Sequence, residues 1–124
     1  MITANFSLNE FDSKDGSKMP EEVKKNIKQL AVNLQVIRDV AGCAIHINSA
    51  YRSPSHNKRI GGVSNSKHMF GLASDLTSRN HTPEELYQLI DELIDEGKIS
   101  EGGLGLYKSF VHYDIRGTRA RWVK

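Results

Sequence analysis

The chain has 124 residues, the length of one ordinary domain. Lys and Arg number 17 against 15 Asp and Glu, and the formal charge of +2 argues against a nucleic-acid binder held by electrostatics. With 38% hydrophobic and 26% charged residues the composition is that of a globular domain, and no apolar run approaches the roughly 20 residues of a membrane span.

Residues 1–18 form a polar lead, expected to lie across the domain surface with Phe6, Leu8 and Phe11 as anchors. Its start, MITANFSLNEFDSKDG, lacks the basic beginning and apolar stretch of a secretory signal, so synthesis in the cytoplasm without a signal peptide is expected. From Pro20 onward, Val23, Ile27, Leu30, Leu34, Ile37 and Ala41 recur at steps of three and four, which predicts a helix of about five turns. Pro20 suits its first turn, and Gly42 its stop. The single cysteine, Cys43, forms no intramolecular disulfide and reads as a small buried hydrophobe.

Residues 44–51, AIHINSAY, alternate and are β-rich, so they read as a strand that Arg52-Ser53-Pro54 breaks. Residues 55–67 are a polar surface loop with room for one helical turn. Leu72–Thr77 is a short strand candidate beginning after Gly71. Thr82-Pro83-Glu84-Glu85 combines an N-cap, a first-turn proline and a capping-box Glu, and it opens a helix whose apolar face is Leu86, Leu89, Ile90, Leu93 and Ile94. Residues 102–107 are a glycine-rich strand or turn, and 110–115, FVHYDI, give the strongest strand signal. The tail carries Trp122, read as packing, and Arg119, Arg121 and Lys124, read as solvated charges. The expected architecture is a single α+β domain over 1–124, with helices packed on a small, mostly antiparallel sheet.

Three segments combine into a chemical constellation: Ser66-x-His68-x-x-Gly71-x-Ala73-x-Asp75, His112-x-Asp114, and Tyr51-Arg52-Ser53. Period-two geometry puts Gly71, Ala73 and Asp75 on one face of a strand, where the small residues leave room for an ion. His112 and Asp114 share a face of a second strand. If those strands are neighbours and His68 ends a loop beside them, two imidazoles and a carboxylate converge. Such a set suits a catalytic zinc with its fourth position left for water. Taken singly, each of these residues also has a structural reading. His46, His56 and His81 are read as strand-packing or loop residues.

The blocks INSAYRSPSHNKRIGG, SKHMFGLASD and GGLGLYKSFVHYDIRG, in that order, closely resemble the zinc D-alanyl-D-alanine carboxypeptidase family, above all its small phage and prophage members. The wider fold group includes the hedgehog signalling domain. The resemblance implies a zinc metallopeptidase that cuts peptidoglycan stem peptides or cross-links, as a D,D-carboxypeptidase or an endolysin-type endopeptidase. It implies Zn2+ on His68, Asp75 and His112, a substrate carboxylate on Arg52, and a supporting hydrogen bond from Ser66. It also implies action on the cell wall after release from the producing cell, or within a phage particle; a monomer is expected, with no nucleic-acid partner. One position departs from the pattern. Ser109 stands where many relatives carry the catalytic carboxylate, three residues before the last ligand. Asp114 is then the nearest substitute base, with orientation of His112 as its other reading; Glu101 is a more distant carboxylate. A non-catalytic zinc-binding module that recognises cell-wall peptides is the alternative. Arg116, at the strand end, is read as a solvated edge charge, with lining of the cleft as its alternative.

Overall fold

The computed structural model describes residues 1–124. Its first long element is α1 (Glu21–Ala41). The three-and-four spacing puts Val23, Ile27, Leu30, Leu34 and Ile37 on one buried stripe. Gly42 ends the helix in the left-handed region at φ 69°, where its N–H donates to the Arg38 carbonyl. Pro20 sits at the N-cap, one position ahead of the first turn in which it was expected.

Strand β1 (Ile45–Ser49) follows, with Ile45 and Ile47 buried and His46 and Asn48 exposed. The segment read as a loop forms the short helix α2 (Pro54–Arg59), capped by Ser53, whose hydroxyl accepts from the His56 N–H at 3.1 Å. A 3-10 turn (Lys67–Phe70) then leads through Gly71, at φ 73°, into β2 (Ala73–Ser78). Helix α3 (Pro83–Asp95) opens on a complete capping box. Glu85 N–H donates to Thr82 Oγ1 at 3.1 Å, and Thr82 N–H donates to Glu85 Oε1 at 2.8 Å. Strands β3 (Gly103–Leu106), β4 (Val111–Asp114) and β5 (Ala120–Val123) complete the chain.

The five strands form one sheet in the order β1-β2-β4-β3-β5. Three of its pairings are antiparallel, while β3 and β5 run parallel. The α+β class is as expected, with one parallel edge added. Period-two alternation divides the work between the two faces of the sheet. Leu76, Leu104, Val111 and Tyr113 point into a core shared with Ile27, Leu30, Leu34, Leu86 and Ile90 of the helices. The intervening residues, Asp75 on β2, His112 and Asp114 on β4 and Gly103 and Gly105 on β3, occupy the opposite face.

The lead is anchored at both of the phenylalanines expected to hold it. Phe6 and Phe11 are fully buried, their rings meeting edge-on at 6.2 Å, and the Tyr51 N–H donates to the Phe11 carbonyl. In the tail, Arg119 and Lys124 are exposed as expected, whereas Arg121 is half-buried. Arg121 pairs with Asp91 at 3.1 Å and donates to the Gly102 carbonyl at 2.8 Å, while Arg119 pairs with Asp95 at 3.1 Å. Residues 120–123 are an ordered strand because those arginines neutralise acidic groups of α3 while their backbone pairs with β3.

Candidate metal centre

Asp75 and His112 are direct cross-strand partners in the β2–β4 register. Their side chains leave the sheet side by side on the face opposite the core. His68 reaches the same point from the 3-10 turn, whose closing residue Gly71 packs against α1. A Cβ at Gly71 would stand 2.8 Å from Val23 Cγ1 and 2.9 Å from the Val23 carbonyl, so this tight approach needs glycine for space as well as for its positive φ. Asp75 Oδ1 lies 3.3 Å from His68 Nε2 and 3.4 Å from His112 Nδ1. One ligand atom from each of the three residues falls within 4.8 Å of the others, and all three side chains are buried.

What stands behind each imidazole decides which nitrogen faces Asp75. His68 Nδ1 lies 2.7 Å from the Ala50 carbonyl, which can only accept, so that nitrogen carries the proton and Nε2 is free. The main chain reinforces the arrangement, since the Arg52 N–H donates to the His68 carbonyl at 3.0 Å. His112 Nε2 lies 2.7 Å from Asp114 Oδ2, so it donates to that carboxylate and leaves Nδ1 free. Two lone pairs and a carboxylate oxygen thus converge, each imidazole braced by an acceptor on its far side. That is the donor set and the outer support of a two-His, one-carboxylate metal site. A proton can take the place of a cation in this gap: bonds from protonated His112 and His68 then outweigh burial, which alone would raise Asp75, and hold the carboxyl well below its ordinary range. Burial likewise works against protonated His112, yet its bonds to Asp114 and Asp75 prevail and raise it.

Asp114 is fully buried, and both its oxygens are committed. Oδ1 accepts from the Gly103 N–H at 2.9 Å and Arg116 Nε at 2.8 Å. Oδ2 accepts from His112 and from Arg116 Nη2 at 2.7 Å. This geometry is that of the orienting alternative. The base position expected for Asp114 is not where its carboxylate stands, because His112 lies between it and the converging ligands. Arg116 is corrected with it. The guanidinium is no solvated edge charge; it clamps Asp114 and lines the cleft. The glycine-rich stretch makes this packing possible, since a Cβ at Gly103 would fall 2.3 Å from Asp114 Oδ2.

Above the three converging side chains opens a cleft of about 620 Å³. Arg52 and Ser66 both line it. Arg52 Nη2 lies 3.3 Å from Asp75 Oδ2, and Ser66 Oγ accepts the His68 N–H at 3.2 Å. Ser109 is elsewhere, in a small pocket with Leu76, Ser78 and Pro83. Glu101 also stands outside the cleft, tied to Gly102 N–H and Arg121. Asp75 is the one carboxylate in the cleft lining.

The sequence reading missed an aromatic wall. Trp122, read as packing, lines the cleft with its ring 5.0 Å from that of His112. Its indole N–H donates to the Tyr107 hydroxyl at 3.1 Å, and Arg116 lies 5.5 Å from its centroid. A Cβ at Gly105 would come within 2.2 Å of the indole nitrogen, so glycine is what lets the ring lie across β3. The signal was present in the alternation. His112, Asp114 and Arg116 share one face at period two, and Gly103 and Gly105 mark a strand over which something large must pass. Cys43 is half-buried beside Ser78 and His81, not sealed in the core.

A mixed sheet with buried imidazoles and a carboxylate gathered under an open cleft describes an α+β domain with a candidate metal site. The family model for Peptidase M15 matches residues 3–114, and the chain belongs to that family. The match includes His68, Asp75, His112 and Asp114 and stops short of Arg116, Trp122 and Lys124. No curated protein matches the chain.

Proposed function

We propose that the chain is a zinc-dependent peptidase that cuts D-amino-acid-containing bonds of peptidoglycan stem peptides or cross-links. One observation carries the reading: the free nitrogens of His68 and His112 and the Asp75 carboxylate converge on one point, with both tautomers fixed from behind. A zinc ion held there would supply Lewis acidity toward the scissile carbonyl and a water acidic enough to deprotonate near neutral pH. Arg52, at the cleft floor, holds a substrate carboxylate through its planar fork. Ser66 fixes the turn that delivers His68. Tyr107 accepts the indole N–H of Trp122 and keeps its own hydroxyl proton to donate toward substrate. Asp114, neutralised by Arg116, keeps His112 in the tautomer the site needs. Action falls at the cell wall, after release from the producing cell or within a phage particle.

A second reading is a zinc-binding module that recognises cell-wall peptides without cutting them. It is favoured by the lack of a second carboxylate in the cleft lining, where a general base would stand. Zinc content measured alongside hydrolysis of purified muropeptides separates the two. The peptidase reading expects one zinc per chain and release of D-alanine or of a cleaved cross-link. A fully zinc-loaded protein that binds muropeptides and leaves them intact would establish the module.

A further inference from the structure

We infer that the cleft selects an acidic peptide, one with a side-chain carboxylate in addition to the carboxylate held at Arg52, and that Lys67 and Lys124 make the selection. The inference rests on the peptidase reading for where the peptide lies. Four cationic side chains line the cleft, Arg52, Lys67, Arg116 and Lys124, against the single carboxylate of Asp75. Arg116 is committed to Asp114 at 2.7 Å, while Arg52, with one nitrogen 3.3 Å from Asp75, is the group assigned to the first substrate carboxylate. The ammonium groups of Lys67 and Lys124 have neither an ion pair nor a hydrogen-bond acceptor within the chain. They come from different walls. Lys67 opens the 3-10 turn that carries His68. Lys124 follows β5 on the aromatic side, its backbone N–H donating to the Leu106 carbonyl at 2.9 Å.

The contrast with the rest of the tail is informative. Arg119 and Arg121, a few residues before Lys124, are neutralised by Asp91, Asp95 and Glu101. Within the tail, charge is neutralised at the two arginines and left unpaired at Lys124, the residue that lines the cleft. Low-dielectric walls of Trp122, Tyr107 and Phe110 focus that field on whatever enters. A peptide bearing only one carboxylate satisfies Arg52 and leaves both lysines facing uncharged groups. A second carboxylate meets one of them and gains affinity over its neutral isostere. Lys67 falls within the stretch matched by the family model, while Lys124 and Trp122 lie beyond it.

Trp122 is the only tryptophan, so its fluorescence reports cleft occupancy independently of turnover. The 124-residue chain is titrated with Ala-Glu-Ala and Ala-Gln-Ala, each with a free C-terminus and with the central residue in L and D form. The Glu peptide is expected to bind about fivefold more tightly at low ionic strength, as one surface ion pair in a focusing cleft allows, with the advantage shrinking as salt rises. The Lys67→Gln, Lys124→Gln double variant, folded by circular dichroism, is expected to bring the two affinities within about twofold. Equal binding of the two peptides to the parent chain overturns the inference, as does a preference unchanged in the double variant. A preference for Glu peptides without any bond cut in Glu-containing muropeptides upholds the inference and defeats the peptidase reading. Cleavage of Glu- and Gln-containing muropeptides at equal efficiency does the reverse.

Discussion

Strand β2 carries a polar cluster near each end, and the two differ in what stands behind them. At Asp75, two imidazoles meet a carboxylate, and each ring's far nitrogen is held by an acceptor that cannot rotate away, a main-chain carbonyl or a buried, clamped carboxylate. At Ser78, the hydroxyl lies 3.3 Å from Cys43 Sγ and 3.0 Å from His81 Nδ1. There the imidazole is shared between a hydroxyl and a thiol, no carboxylate joins, and the groups are half-exposed. Residue type alone would rank the Cys–His–Ser group as an attractive site. Outer support separates the two, because only fixed acceptors set a tautomer and concentrate lone pairs at one point.

The widest gap between the clusters should open on removing the shared carboxylate. Asp75→Ala is expected to lower zinc affinity by more than about a hundredfold, beyond the range for losing an outer partner, and to abolish peptide hydrolysis. Competition against a chelator measures the first. Retention of zinc at parental affinity would mean that the two histidines do not depend on Asp75.

Next in size is the outer support itself. Asp114→Asn keeps the shape and removes the charge. Zinc affinity should fall about ten- to a hundredfold, and chemical denaturation near neutral pH should show a loss of about 2 kcal/mol as the bonds from Arg116 and His112 weaken. An acid titration sharpens this. Burial pushes Asp114 up, but bonds from His112, Arg116 and Gly103 hold its carboxyl below the unfolded value of 3.8. A depressed carboxyl binds its proton more weakly when folded, so its stabilisation is complete above that value and is lost as the pH falls toward the folded one. Asp15, lowered by the Ser13 and Ser53 hydroxyls, acts in the same direction. The parent protein should therefore lose Tm steeply below about pH 4, and the Asn variant less steeply over the same window. Equal slopes would remove Asp114 from the acid response.

The smallest effect is expected at the other end of the strand. Cys43→Ala should leave zinc content and hydrolysis within about twofold and stability within about 1 kcal/mol, as for most substitutions outside a core. A large loss of zinc in this variant would erase the distinction between the clusters.

Legibility in the sequence followed the strength of the local pattern. The α1 stripe from Val23 to Ile37 and the Thr82 capping box each carry several mutually consistent signals, and both helices fall where those signals put them. Period-two spacing left Asp75 and His112 each with a structural reading, and the resemblance of the three ordered blocks was what singled them out together with His68; the pairing of β2 with β4 sets the first two side by side. Strand β5 was not readable, since ARWV is short and mixes charge with apolar residues. Its order comes from nonlocal terms: parallel pairing with β3, Arg121 against Asp91, and Trp122 laid over Gly105. Arg116 was misread for a related reason. Its partner Asp114 is two residues away on the same face, but full burial of that carboxylate is a property of the closed sheet.

The opening stretch of the chain has a practical bearing on where the molecule can be cut. Asp15 accepts from the Ser53 hydroxyl at 2.7 Å, one residue beyond Arg52, while Phe6 and Phe11 plug the interior. A boundary drawn at Met19, ahead of the first long helix, would discard this foundation and loosen the loop that aims the guanidinium. A partner joined in front of Met1, whose side chain is 83% exposed, leaves it in place.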